Sequence, residues 1–270
     1  MPVVEGESSD PQLMAAAGYQ ALLVPALFQQ WVEPVLDAAQ VQAGQRVLDV
    51  GCGTGVLARA AVKRLGPADT VAGLDPDSGM LAVAERLGPM VEWRQGVAES
   101  LPYPDESFDA VVSQFGLMFF ADRRRSLQEM LRVLSPGGRL VVAVWDALKR
   151  IPAYAAEVAL LDRLAGGPAA EALRAPFALG FEKELVQLLK SAGVSSPTFE
   201  TRAGVASFPS IRTMVEADLR GWLPVAGIKL HESLIQRILL EAESAVGRHV
   251  RGEGIVEFDV SAHIVTGSKS

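Results

Sequence analysis

Residues 47–58 read VLDVGCGTGVLA, and no other stretch constrains the fold so tightly. A run of valine and leucine around Asp49 leads to glycines on the alternate positions 51, 53 and 55, and helix-forming residues follow without a break. The pattern predicts a buried strand, a tight turn and a helix start. Glycine admits positive φ and lets a ligand approach the main chain where a Cβ would collide. The helix start then offers free N–H groups and a positive dipole end to a carboxylate or phosphate. Dinucleotide sites usually carry their third glycine one position later, where this chain has Val56, so a nucleotide ligand without a pyrophosphate is favoured. A Rossmann dehydrogenase and a purely structural turn remain alternatives at this point.

From residue 41 onward short apolar runs alternate with helical patterns, the mark of βαβ units and a parallel sheet buried on both faces. Strands are predicted at 46–50, 71–75, 91–95, 108–114 and 139–145, with helices near 55–65, 77–87 and 122–134 and a stopping turn at Ser135–Gly138. A helix at 181–192, ended by Gly193, leads to two further strands at 197–206 and 255–266. The helical stretch between that last pair is compatible with antiparallel pairing. The fold class is therefore α/β, a Rossmann-like mostly parallel sheet with helices on both faces. Residues 1–270 form one domain, in which 41–146 is the ligand-binding core and 181–206 and 255–266 complete the sheet. Segments 11–40, 148–178 and 208–252 read as helical additions, and insertions after the fifth and sixth strands fall where a lid would cover a pocket. An interface between copies of the chain, as a homodimer, is the alternative use for them.

Net charge is −7 with an isoelectric point near 5.1, which argues against electrostatic capture of nucleic acid or anionic lipid and favours a small-molecule partner. The one cysteine, Cys52, excludes an internal disulfide and a cysteine-rich metal site and suits a reducing cytoplasm. The acidic start MPVVEGESSD lacks the features of a secretory signal, and ALLVPALF at 21–28 is too short to span a bilayer. A cytoplasmic location with no membrane insertion is the expectation.

Asp75 ends the second strand 20 residues after Gly55, where a carboxylate can accept hydrogen bonds from both hydroxyls of a ribose. Nicotinamide sites use the same device, so the discriminator must lie elsewhere. The hydrophobic-x-Asp-x-Gly-x-Gly-x-Gly pattern resembles motif I of class I S-adenosylmethionine-dependent methyltransferases. QGVAESLPYPDESFDAVVSQFGLMFF at 95–120 resembles the corresponding stretch of the ubiquinone and menaquinone biosynthesis type. SPGGRLVVAVW at 135–145 matches the same family's turn into strand five. One departure is Val97, where the family usually has aspartate.

The resemblance implies S-adenosylmethionine as cofactor and a seventh strand slotted antiparallel between the fifth and sixth. It also implies a cofactor set of Asp49, Gly51, Cys52, Gly53, Gly55, Asp75, Pro76, Met80, Ala98, Glu99, Gln114 and Tyr19. In that set Asp49 faces the ammonium group, unless it only caps the next helix. The backbone of 51–53 receives the carboxypropyl chain, Ala98 and Glu99 lie at the adenine, Gln114 touches the methionine moiety, and Tyr19 contacts the cofactor or gates entry. Phe115, Phe119 and Phe120 either line the methyl path or belong to the core. Asp75→Ala is expected to weaken cofactor binding by about 1–3 kcal/mol with the fold intact.

Methyl transfer from a sulfonium is an in-line displacement, for which alignment alone supplies about 7–11 kcal/mol. The activity implied is methyl transfer to a small-molecule acceptor whose attacking atom is undetermined, with no metal and no assigned catalytic residue. An NAD-dependent oxidoreductase and a non-catalytic S-adenosylmethionine-binding module are the rivals. The three histidines read as structural or solvated: His231 packed on a helix, His263 on the last strand, His249 beside two arginines. Asp122 reads as a helix N-cap, Arg123–Arg125 as a solvated helix face, and Asp109 as ordering the start of strand four.

Overall fold

The strands are β1 Val47–Val50, β2 Val71–Asp75, β3 Glu92–Gln95, β4 Phe108–Gln114, β5 Leu134–Trp145, β6 Thr198–Phe208 and β7 Val256–Ser268. They form one sheet of order β3-β2-β1-β4-β5-β7-β6. The first five run parallel, and β7 is antiparallel to both β5 and β6. This computed structural model describes residues 10–66, 70–194, 196–251 and 255–269, so the acidic start of the chain lies outside the described residues. Around the sheet lie α1 Pro11–Gly18, α2 Val32–Ala38, α3 Val56–Leu65, α4 Ser78–Leu87, α5 Arg123–Val133, α6 Pro152–Ala165, α7 Gly167–Arg174, α8 Glu182–Ala192, α9 Ile211–Ala217, α10 Leu223–Val225 and α11 Glu232–Val246. Two π-helical stretches, Tyr19–Phe28 and Asp218–Trp222, continue α1 and α9 respectively.

Successive strand residues point to opposite faces, and both faces are covered. Val47, Ala110, Val112, Val141 and Ala143 pack with Val35, Leu36, Leu57 and Ala61 of α2 and α3. Their chain neighbours Leu48, Val111, Leu140, Val142 and Val144 pack on the other face with Leu127, Met130, Leu185 and Leu189 of α5 and α8. Each such Val or Leu contributes about 1.5–3 kcal/mol relative to exposure, which is why β1, β2, β4 and β5 read as near-continuous apolar runs. The helix starts follow the predicted chemistry: Asp77 Oδ1 accepts from Met80 N at 2.9 Å and Asp122 Oδ1 from Arg125 N at 2.9 Å. Asp109 does order the start of β4, accepting from Arg46 N at 2.8 Å and pairing with its guanidinium at 2.9 Å.

Two expectations are corrected. The SPGG segment is not a turn ahead of β5 but lies within it. Leu134 already pairs with Phe108, the register shifts over Phe108–Ala110, and pairing resumes at Arg139 opposite Ala110. His231 is not packed on a helix face; it is the exposed N-cap of α11, its Nδ1 within 3.2 Å of Ser233 Oγ. Arg123, Arg124 and Arg125 diverge around α5, as consecutive helical residues must, and donate to Met118 O, Ser191 O and Glu99 O respectively.

Candidate active site

A cavity of about 680 Å³ opens outside the carboxyl ends of β1, β2 and β4, the position at which open α/β sheets bind ligands. Its floor is the loop after β1. The amides of Gly51 and Cys52 donate to Leu74 O at 2.8 and 3.1 Å, and Gly53 N donates to Asp75 Oδ2 at 2.8 Å. Asp75 Oδ1 accepts from Asp77 N at 2.9 Å, so one carboxylate joins the loop to the start of α4. Each of its oxygens retains a second lone pair. Burial raises the Asp75 carboxyl to about 6, against the two amides that draw it down.

Asp49 is buried beneath the loop, with Oδ2 accepting from Ala58 N at 3.2 Å and Oδ1 without a partner. It caps the first turn of α3, lines the cavity, and keeps one buried oxygen without a partner. Burial raises its carboxyl to about 7. Gln114, at the end of β4, donates to Phe28 O at 3.3 Å and leaves its buried Oε1 unpartnered. The buried Cys52 thiol is pushed up by burial and by the two aspartates, which keeps it a thiol rather than a nucleophilic thiolate.

The glycines of the turn do different jobs. Gly53, at φ 54°, has nothing within 4 Å of the position of a Cβ, so the ligand space begins at its α-carbon. Gly55, at φ 79°, does not line the cavity; a Cβ there would run into the Trp93 indole, which fills the space below the turn and donates to Gly88 O at 2.9 Å. The residue after β4, Phe115, has φ 59°, a strained backbone for a bulky side chain and a frequent companion of ligand sites. Its ring stacks on Trp145 at 4.1 Å and also faces the cavity.

Asp49, Gly51, Cys52, Gly53, Asp75, Pro76, Met80, Gln114 and Tyr19 all line the cavity. Ala98 and Glu99 do not. Ala98 lies in the core, and the Glu99 carboxylate accepts from Asp122 N at 3.1 Å, ahead of α5. Residues that the sequence pattern does not single out also line it: Gln12, Phe28, Thr54, Gln95 and Trp222. Of these, Gln95 had a legible signal, because it ends β3 on the same edge as the others. Tyr19 stacks on Phe28 at 5.3 Å and Phe119 lies against Trp222 at 4.9 Å, so aromatic residues of the added segments, with Phe119 of the core, form the roof. Among the described residues no helix is long and apolar enough to cross a membrane.

A glycine cradle, a carboxylate ending β2 and an unsatisfied carboxylate under the first turn, on this strand order, define a nucleotide-binding α/β domain of the methyltransferase class. Residues 48–142 match the family model described as a methyltransferase domain. The ubiquinone/menaquinone biosynthesis C-methyltransferase of Hahella chejuensis is 37% identical over 153 residues, covering 53% of this chain and 61% of that protein. The demethylmenaquinone methyltransferase of Paenarthrobacter aurescens is 34% identical over 189 residues, 65% of this chain and 72% of that protein. Among solved structures, a methyltransferase from an antibiotic biosynthesis pathway of Anabaena variabilis shares the fold, with a TM-score of 0.64 at 22% identity over 88% of this chain and 96% of that one. The chain belongs to the class I S-adenosylmethionine-dependent methyltransferases of the ubiquinone/menaquinone biosynthesis type.

Proposed function

We propose that this protein transfers the methyl group of S-adenosylmethionine to a small acceptor bearing a hydroxylated ring. The observation that carries the donor half is Asp49 Oδ1, a buried acceptor with no partner at the wall of the cavity. A buried unpaired carboxylate oxygen is costly, and an ammonium group at that point satisfies it. Gln114 Oε1 supplies a second free acceptor on the same side, and the open space at Gly53 admits an aliphatic chain against the backbone. The free lone pairs of Asp75 suit a diol. Bound S-adenosylmethionine supplies a methyl group already activated on a sulfonium. The protein's own residues then have to hold the acceptor in line and keep water out, a task for the aromatic roof of Tyr19, Phe28, Phe119 and Trp222. We read the segments 11–40, 148–178 and 208–252 as that lid.

The acceptor half rests on the activities for which the two relatives are named and on these aromatic walls, which suit a flat ring. A nicotinamide-dependent oxidoreductase is disfavoured by Val56 in the place of a third glycine and by the family match. The test is release of S-adenosylhomocysteine when the protein is given S-adenosylmethionine with a demethylated hydroquinone. Turnover dependent on the hydroquinone is expected, and binding of the donor without turnover on any hydroxylated ring would reduce the protein to a binding module.

A further inference from the structure

Behind the aromatic roof lies a second, smaller chamber of about 50 Å³. Tyr19, Phe28, Phe115, Phe119 and Trp222 line both spaces, so the chamber adjoins the place where an acceptor would lie. Its walls are aromatic and aliphatic except for one charged residue, Asp218, which is 3% exposed and whose Oδ2 has no hydrogen-bond partner. Behind it lies Glu157 of α6, wholly buried, whose retained proton lets it donate to Asp218. Tyr154, on the chamber wall, is the third polar group of the cluster, and Tyr19 faces it from the other side.

An apolar pair of the same size would pack without the penalty of buried carboxyl groups. Burial pushes both Asp218 and Glu157 above the ordinary carboxylate range, so the two are held as neutral acids that bond to each other, with Tyr154 beside them, while Asp218 faces the chamber. Asp218 also opens the π-helical stretch Asp218–Trp222, which faces the other π-helical stretch, Tyr19–Phe28. Such irregular turns cluster at functional sites, where they re-aim a side chain.

We propose that Asp218 is the polar anchor of the acceptor site, receiving a ring hydroxyl of the methyl acceptor in the inner chamber while the ring itself lies among the shared aromatic residues. This deepens the methyltransferase reading and rests on it. A buried acid at an otherwise largely apolar wall discriminates sharply, because an analogue lacking the hydroxyl offers it no hydrogen bond.

The test uses 2-naphthol and 2-methylnaphthalene, which differ by a hydroxyl in place of a methyl, in equilibrium dialysis against protein saturated with S-adenosylhomocysteine. The wild type is expected to prefer 2-naphthol about tenfold, and Asp218→Leu to lose the preference with S-adenosylhomocysteine affinity within about twofold. Infrared difference spectra give a second readout in the isosteric Asp218→Asn variant. 2-Naphthol should shift a protonated-carboxyl band in the wild type, and that shift should vanish in the variant. Equal binding of the two probes by wild type, a preference that survives Asp218→Leu, or a band shift that persists in Asp218→Asn would overturn the assignment. Failure of the wild type to bind S-adenosylhomocysteine would instead strike the methyltransferase reading itself.

Discussion

Asp49 is charged only with difficulty in the free protein, since burial lifts its carboxyl to about 7. An acid held above its unfolded value retains an extra proton in the native state, so native stability falls as pH rises from about 4 to about 7. An ammonium beside Oδ1 favours the ionised form, so cofactor affinity should climb through the upper part of that window and level off above about pH 7. Calorimetry across that range is expected to show the rise in wild type, and Asp49→Asn to flatten it and weaken binding about tenfold. A pH-independent affinity in wild type would remove Asp49 from the ligand. The turn glycines separate stability from binding in the same way. Gly55→Ala should cost at least about 1–2 kcal/mol from backbone strain alone, plus the displacement of Trp93. Gly53→Ala carries the same backbone strain at φ 54° but strikes no side chain, and because its added carbon enters ligand space it should lower cofactor affinity as well. Asp75→Ala now carries more than the loss of a diol acceptor: it strips Gly53 N and Asp77 N of their partner, so melting temperature should fall along with affinity.

At the scale of elements, the long edge strand β6 shows what holds and what hides. Gln30 lies against it like a short strand, its Nε2 donating to Val205 O at 3.0 Å and its Oε1 accepting from Val205 N at 3.0 Å. Gly204 leaves the room for it, since a Cβ there would collide with Gln30 Oε1 and meet Trp31 at 2.8 Å. Gln30→Ala should destabilise by about 1–3 kcal/mol and speed hydrogen exchange at the Val205 amide, and an unchanged exchange rate would show the edge to be held by something else. No local pattern announces a contact between residues 175 positions apart. The strands themselves were legible because burial on both faces leaves continuous valine and leucine runs, and the helix starts because Asp77 and Asp122 are ordinary caps. Less legible was the beginning of β5, where a register shift lets Ser-Pro-Gly-Gly run on inside the strand instead of turning. The π-helical stretches escaped as well, since a widened turn has no distinct residue period to read. In the site, residues at strand ends could be named in advance, whereas Ala98 and Glu99 could not be placed without the path of the chain into α5.

For the whole molecule, three segments outside the glycine-loop core meet over it. Gln12, Tyr19 and Phe28 come from the first, Ala172 and Ala175 from the second, and Trp222, Val225 and Ala226 from the third. Together with the carboxyl ends of β1, β2 and β4 they enclose the cavity over the loop, beside the smaller chamber that Asp218 lines. The central claim is that this cavity receives S-adenosylmethionine, its amino-acid end over Asp49 and its ribose over Asp75. Titration calorimetry of the purified protein with S-adenosylhomocysteine and, separately, with NAD tests it most directly. Saturable binding of S-adenosylhomocysteine, weakened by Asp49→Asn, with no heat from NAD is the predicted result. Binding of NAD, or S-adenosylhomocysteine binding indifferent to Asp49, would contradict it.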